Sequence, residues 1–209
     1  MSDSKQITTE IESLGEAKIK TLLLNDSIGT SKEMFKSDND RILIDVNANA
    51  IIEQVKSQKQ PPTFELAGPR KRIYFDPSKL KCALVTCGGL CPGLNNVIRA
   101  IVLELYYRYQ VKNIYGIRYG LEGFVPEYGH DLVALDPDKV VNIHEMGGSI
   151  LGSSRGPQDI EVIVDCLERL NIGILFMIGG DGTLNAASKI AEEIKKRNTK
   201  ISVIGIPIT

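Results

Sequence analysis

Residues 175–190 read LFMIGGDGTLNAASKI. An apolar run stops at Gly179 and Gly180, a lone carboxylate follows at Asp181, Gly182 comes next, and helical spacing begins at once. A carboxylate on a glycine turn at a strand end has room to hold Mg²⁺, which commonly takes one or two carboxylates together with substrate phosphates. The glycines remove side chains that would block a triphosphate. Asp181 could instead be only the N-cap of the following helix, although capping alone does not account for a Gly-Gly-Asp-Gly run.

Two further turns carry compatible chemistry. In TCGGLCPGLNN (86–96), Gly88 and Gly89 allow close backbone approach, Pro92 preorganises a helix entrance, and the helix start offers unpaired N–H groups to an anion. The spacing is neither that of a dinucleotide fingerprint nor that of a P-loop, and a tight strand-to-helix turn without ligand is the competing reading. In GGSILGSSRGPQD (147–159), small and hydroxyl residues precede Arg155, whose guanidinium can fork onto phosphate oxygens. A surface loop with a solvated Arg is the alternative there. Taken together, the three turns offer backbone donors, a cation and a metal carboxylate. That set suits phosphoryl transfer, which needs mainly positioning and charge neutralisation.

The elements that must position these turns are legible from residue 81 onward. CALVTC, VKNIYGIRYG, IGILFMIGG and ISVIGIPI read as strands, and LNNVIRAIVLELYYRY, DIEVIVDCLERLN and TLNAASKIAEEIKKRN as helices. Strands apolar at nearly every position are buried on both faces, which predicts a parallel sheet with flanking helices, an α/β fold. Ligands then bind beyond the carboxyl ends of the strands, where the glycine turns lie. Residues 1–80 read as an N-terminal extension. TTEIESLGEAKIKTLLLND suits an amphipathic helix with Ile11, Leu14 and Leu22 or Leu23 on one side. Residues 41–46 suit a strand, and the Pro- and Gly-bearing stretch 56–72 an extended connector.

Composition narrows the function classes. The chain has 209 residues and 43% hydrophobic residues, enough for one α/β domain with an extension. Its 25 basic and 26 acidic residues argue against general nucleic-acid or membrane-surface binding. Cys82, Cys87, Cys91 and Cys166 form no C-x-x-C, and His130 and His144 are the only histidines, which does not suit zinc. The N-terminus lacks the apolar stretch of a signal peptide, and no apolar run approaches a membrane span. A cytoplasmic protein with reduced, packing cysteines is expected.

In GGLCPGLNNVIR, GGSILGSSRG, GGDGT and GIPIT, in that order and spacing, the chain resembles the phosphofructokinase family, which phosphorylates fructose 6-phosphate at its 1-hydroxyl. The resemblance covers about residues 65–209. AGPRKRIYFDP and the long extension are similar to the long-chain branch of plants, protists and some bacteria. GGDGT alone also occurs in lipid and NAD kinases, but those lack the other turns. The resemblance implies ATP as phosphoryl donor and Mg²⁺ as cofactor. It places Gly88 and Gly89 on the nucleotide phosphates, Arg155 on the phosphate chain, and Tyr119 in a loop that often carries a nucleotide-contacting Tyr. It also implies nucleotide binding by Gly180, Asp181, Gly182 and Thr183, with Asp181 on Mg²⁺ and Gly182 leaving space beside the α-phosphate. Pyrophosphate-dependent members usually have Asp at that position, so Gly182 favours ATP. Ile208 departs from the pattern, which has Lys or Gly there; Leu90 replaces an Asp of many bacterial members. Thr209 begins the family motif that contacts the sugar phosphate and contains the base, and the base itself lies two residues further on.

The chain is therefore expected to be the N-terminal part of an ATP-dependent 6-phosphofructokinase, inactive alone. The implied partners are small-molecule substrates, with neither nucleic acid nor membrane, and the parent enzyme is expected to be a homo-oligomer. A pyrophosphate-dependent enzyme and a non-catalytic nucleotide-binding module are the alternatives.

Overall fold

The structure is a computed structural model and describes residues 9–25 and 35–208; Thr209 lies outside the described residues. The described chain divides into two compact units, residues 1–74 and 75–209.

In the first unit, β1 (Ile19–Lys20), β2 (Arg41–Leu43), α1 (Ala48–Lys56), β3 (Thr63–Glu65) and β4 (Arg72–Ile73) follow in order. β1 pairs with β4 and β2 with β3, both antiparallel. Asn47 caps α1 by accepting from the amides of Asn49 and Ala50.

The helix expected from Thr8 to Asp26 does not form among the described residues there. Ser13 Oγ accepts from the Gly15 amide and donates to its carbonyl, closing a local turn. Gly15 has φ +143°, outside any helix. The chain then enters β1 and a short 3-10 turn, Leu22–Asn25. Helical spacing of apolar residues lost to a Ser–Gly turn, and Ile11 is left 74% exposed. Between residues 41 and 73 the expectation was one strand and a connector. The strand stops at Leu43, α1 follows it, and the connector contains β3 and β4.

The second unit contains β5 (Lys81–Thr86), α2 (Leu94–Leu103), β6 (Asn113–Ile117), β7 (Val133–Ala134), α3 (Pro137–Val140), α4 (Ile160–Leu170), β8 (Ile174–Gly179), α5 (Asp181–Lys196) and β9 (Ser202–Pro207). Its sheet runs in the order β7-β6-β5-β8-β9. β6, β5, β8 and β9 are parallel, as expected. β7 was not foreseen; it is antiparallel to β6, so the sheet is mixed.

Alternation along each strand feeds two apolar layers. Ala83 and Val85 of β5, with Leu175 and Met177 of β8, pack under α4 and α5 against Ile163, Leu167 and Ile190. Cys82 and Leu84, with Ile178, face the opposite layer of Leu94, Ile98 and Val102 from α2. α5 buries Thr183, Ala187, Ile190 and Ile194, the 3.6-residue stripe that the sheet requires. α2 continues as a π-helical turn over Glu104–Arg108. α4 starts at Asp159, which accepts from the Glu161 amide, and ends at Asn171 in the left-handed conformation. Among the described residues no helix is long and apolar enough to cross a membrane.

Candidate functional site

β5 and β8 are neighbours, so the turns that follow them open side by side. The Cys87 amide donates to the Ile178 carbonyl at 3.0 Å, carrying the sheet ladder into the first turn. Thr183 is buried, and its hydroxyl donates to the Cys87 carbonyl at 3.5 Å, linking α5 to the same turn. Gly179 has no room for a side chain, since a Cβ there would lie 2.7 Å from the Cys87 carbonyl oxygen and against the Thr183 side chain.

The loop 147–156 is tied down over these turns. The Thr86 hydroxyl donates to the Gly152 carbonyl and meets the Ser149 hydroxyl, both at 2.7 Å. Asn95, buried at the start of α2, bridges the Met146 carbonyl (3.1 Å) and the Ile150 amide (2.9 Å). The Ser153 hydroxyl donates to the Gly88 carbonyl at 2.6 Å, and the Gly88 amide points to the Ser154 carbonyl at 3.4 Å. Gly88 has φ +83°, which a side chain would strain.

A cavity of about 550 Å³ opens where the three turns meet, and Gly88, Gly89, Arg155, Gly180, Asp181, Gly182 and Thr183 all line it. Asp181 is not the cap of α5. Gly180 holds that position without a side-chain hydrogen bond, and Asp181 is the first helical residue. Its carboxylate is therefore not consumed in capping, and at the helix N-terminus it stands beside amides that favour anions. Among the described residues no group of three His, Cys, Asp or Glu gathers to hold a metal. A single carboxylate suits a Mg²⁺ that completes its shell with phosphates and water, not a resident protein cage. Cys87 also lines the cavity, and burial pushes the pKa of its thiol up to about 12, so it stays a neutral thiol.

Tyr119 does not line this cavity. It takes a left-handed conformation (φ 57°), its amide donates to the Leu151 carbonyl at 2.8 Å, and its ring lies against Gly152 and His130. The 3-10 turn that follows, Gly120–Phe124, turns Leu121 into the cavity wall. Ile208 continues the ladder, its amide donating to the Gly179 carbonyl at 3.1 Å, while its side chain packs into the α2 layer.

Sequence reasoning missed Gln158, Asn185, Ala186 and Lys189, which also line the cavity. The signal was present in α5. Residues 182, 185, 186 and 189 share one helix face by i, i+3, i+4, i+7 spacing, flanking the apolar stripe.

The profile of one family, Phosphofructokinase, matches residues 81–209. The chain is 45% identical over 206 residues to the ATP-dependent 6-phosphofructokinase of Borreliella burgdorferi, covering 99% of this chain and 45% of that protein. It is 50% identical over 149 residues to the ATP-dependent 6-phosphofructokinase of Trypanosoma cruzi, covering 71% of this chain and 31% of that one. The chain thus spans less than half the length of these relatives. Among solved structures, the pyrophosphate-dependent phosphofructokinase of Marinobacter aquaeolei superposes with a TM-score of 0.56 at 21% identity, over 62% of this chain and 34% of that chain, a likeness of fold.

Proposed function

Because the chain belongs to the phosphofructokinase family, we propose that it supplies the nucleotide-phosphate side of an ATP-dependent 6-phosphofructokinase. The observation that carries this reading is the convergence of three glycine turns, Arg155 and Asp181 on one cavity at the carboxyl ends of β5 and β8. In this reading Asp181 would hold Mg²⁺ together with the donor's phosphates, and a bound ion would supply neutralisation of their charge. Arg155 and the first amides of α5 hold the phosphate chain. Fructose 6-phosphate is the acceptor, its 1-hydroxyl attacking in line; Thr209 is proposed to meet it. The parent enzyme is proposed to be a cytoplasmic homo-oligomer.

Two features support ATP over pyrophosphate as donor. A Cβ at Gly182 would meet nothing within 4 Å, so packing does not require glycine there, and its absent side chain leaves cavity. The cavity also runs along α5 from Gly182 to Lys189, about 10 Å at 1.5 Å per residue. Pyrophosphate has no use for that length; a nucleoside does.

The test is calorimetric titration of the 209-residue chain with ATP at several Mg²⁺ concentrations. Asp181→Asn is expected to weaken binding about tenfold, 1.4 kcal/mol, at saturating Mg²⁺ and to change it little without the ion. An equal affinity at every Mg²⁺ concentration would remove Asp181 from the metal. Pyrophosphate binding as tight as ATP would overturn the donor assignment.

A further inference from the structure

Lys189 stands apart from the other cations around the end of α5. Lys196 pairs with Glu193 at 3.1 Å, and Arg197 bonds Glu193, Asp165 and Glu168. Among the described residues Lys189 has no such partner, and it lines the cavity. An ammonium has three donors and no acceptor, so it needs an acceptor from water or from a ligand.

Helix geometry limits what that acceptor is. Lys189 lies eight residues beyond Asp181, about 12 Å along the axis at 1.5 Å per residue. Helical side chains lean toward the N-terminus and lie over the preceding turn. The Lys189 stem therefore crosses Asn185 and Ala186, and its ammonium stops short of the first turn, where the phosphates dock. Between the two ends the groove floor is Gly182 and Ala186, which are small enough to let a ligand lie along the helix. Gln158 and Asn185, which also line the cavity, carry amide groups.

We propose that Lys189 is a specificity-determining residue that binds the nucleoside part of the donor, through ribose oxygens or base acceptors, and not its phosphate chain. This inference rests on the nucleotide reading above. It predicts that Lys189 separates a nucleoside triphosphate from the bare chain of three phosphates that ATP contains.

The experiment compares MgATP with magnesium tripolyphosphate, both titrated calorimetrically into the 209-residue chain. Lys189→Met is expected to weaken MgATP about tenfold while tripolyphosphate stays within about twofold. Arg155→Met is expected to weaken both ligands. Lys189→Arg, which keeps a cation at the same place, is expected to restore most of the MgATP affinity, and circular dichroism checks that each variant is folded. Loss of both ligands with Lys189→Met would make Lys189 a phosphate cation, and no loss of either would make it a bystander; each result overturns the inference. If the unaltered chain binds neither ligand, the phosphate site itself is wrong and the inference falls with it. If it binds both and only the Lys189 variants behave unexpectedly, the site stands and the inference alone fails.

Discussion

A methyl group added at Gly179 would lie 2.7 Å from the Cys87 carbonyl oxygen and against Thr183, whereas one at Gly182 would meet nothing within 4 Å. The first glycine is demanded by packing of the two turns. The second is not, and its space belongs to the cavity. Gly179→Ala is therefore expected to lower stability by about 1–3 kcal/mol through overpacking. Gly182→Ala is expected to leave stability within about 0.5 kcal/mol or to raise it slightly, since Ala suits a helix better than Gly. Urea denaturation of the two variants checks this, and a Gly182→Ala loss as large as that of Gly179→Ala would refute the contrast. At this scale the residues proposed for the site were readable because each chemistry restricts residue type: glycine at close approaches, a carboxylate as the candidate for a metal, Arg as the candidate for phosphate. Tyr119 was harder to place. Its ring follows from the left-handed backbone at residue 119, which turns Leu121 and not Tyr119 into the cavity, and no spacing rule announces a left-handed tyrosine.

Among the elements, α4 and α5 are joined at one corner by Arg197. Its guanidinium reaches Glu193 of α5 at 2.7 Å and also Asp165 and Glu168 of α4. The hydrogen bonds from Arg197 first, then from Lys196, hold the Glu193 carboxyl below its ordinary 4.5. A depressed folded-state pKa means that this contribution is present above about pH 4.5 and is lost as pH falls through the folded value. Glu193→Gln should therefore unfold at a lower temperature than the parent at pH 7. The difference should shrink steadily below pH 4.5, as followed by circular dichroism melts. A gap that is constant down to pH 3 would count against the linkage. The elements of the second unit were legible because buried strands are apolar throughout and their helices carry clean stripes. β7 is two residues long and offers no such signal. In the first unit, α1 has no buried residue and β2 is exposed along its length, so the burial pattern that betrays an element in sequence is missing. The supposed N-terminal helix had the apolar spacing but also Ser13 and Gly15, whose local turn prevailed.

For the molecule as a whole, the central strand of the second unit's sheet is the first of its strands in sequence. β5 lies between β6 and β8, and Cys82 pairs with Ile174 far along the chain. The entropy of closing so long a loop must be met before that pairing is rewarded, which makes such contacts slow to form. The Gly179–Thr183 turn exists only once β8 has docked against β5, because its shape depends on Cys87. The cavity is therefore expected to be assembled late in folding, after β8 has docked against β5. A ligand that needs it has little to grip in the folding transition state. Added MgATP is then expected to leave the refolding rate of the chain nearly unchanged and to slow its unfolding in proportion to the stability gained, about 2.7 kcal/mol at a hundred times Kd. Stopped-flow chevrons with and without nucleotide measure this, and a faster refolding limb would place the turn early instead. On the reading that the cavity takes nucleotide, the position of one strand in the sheet sets when that ligand protects the chain: it is expected to lengthen the life of molecules already folded and not to hurry new ones.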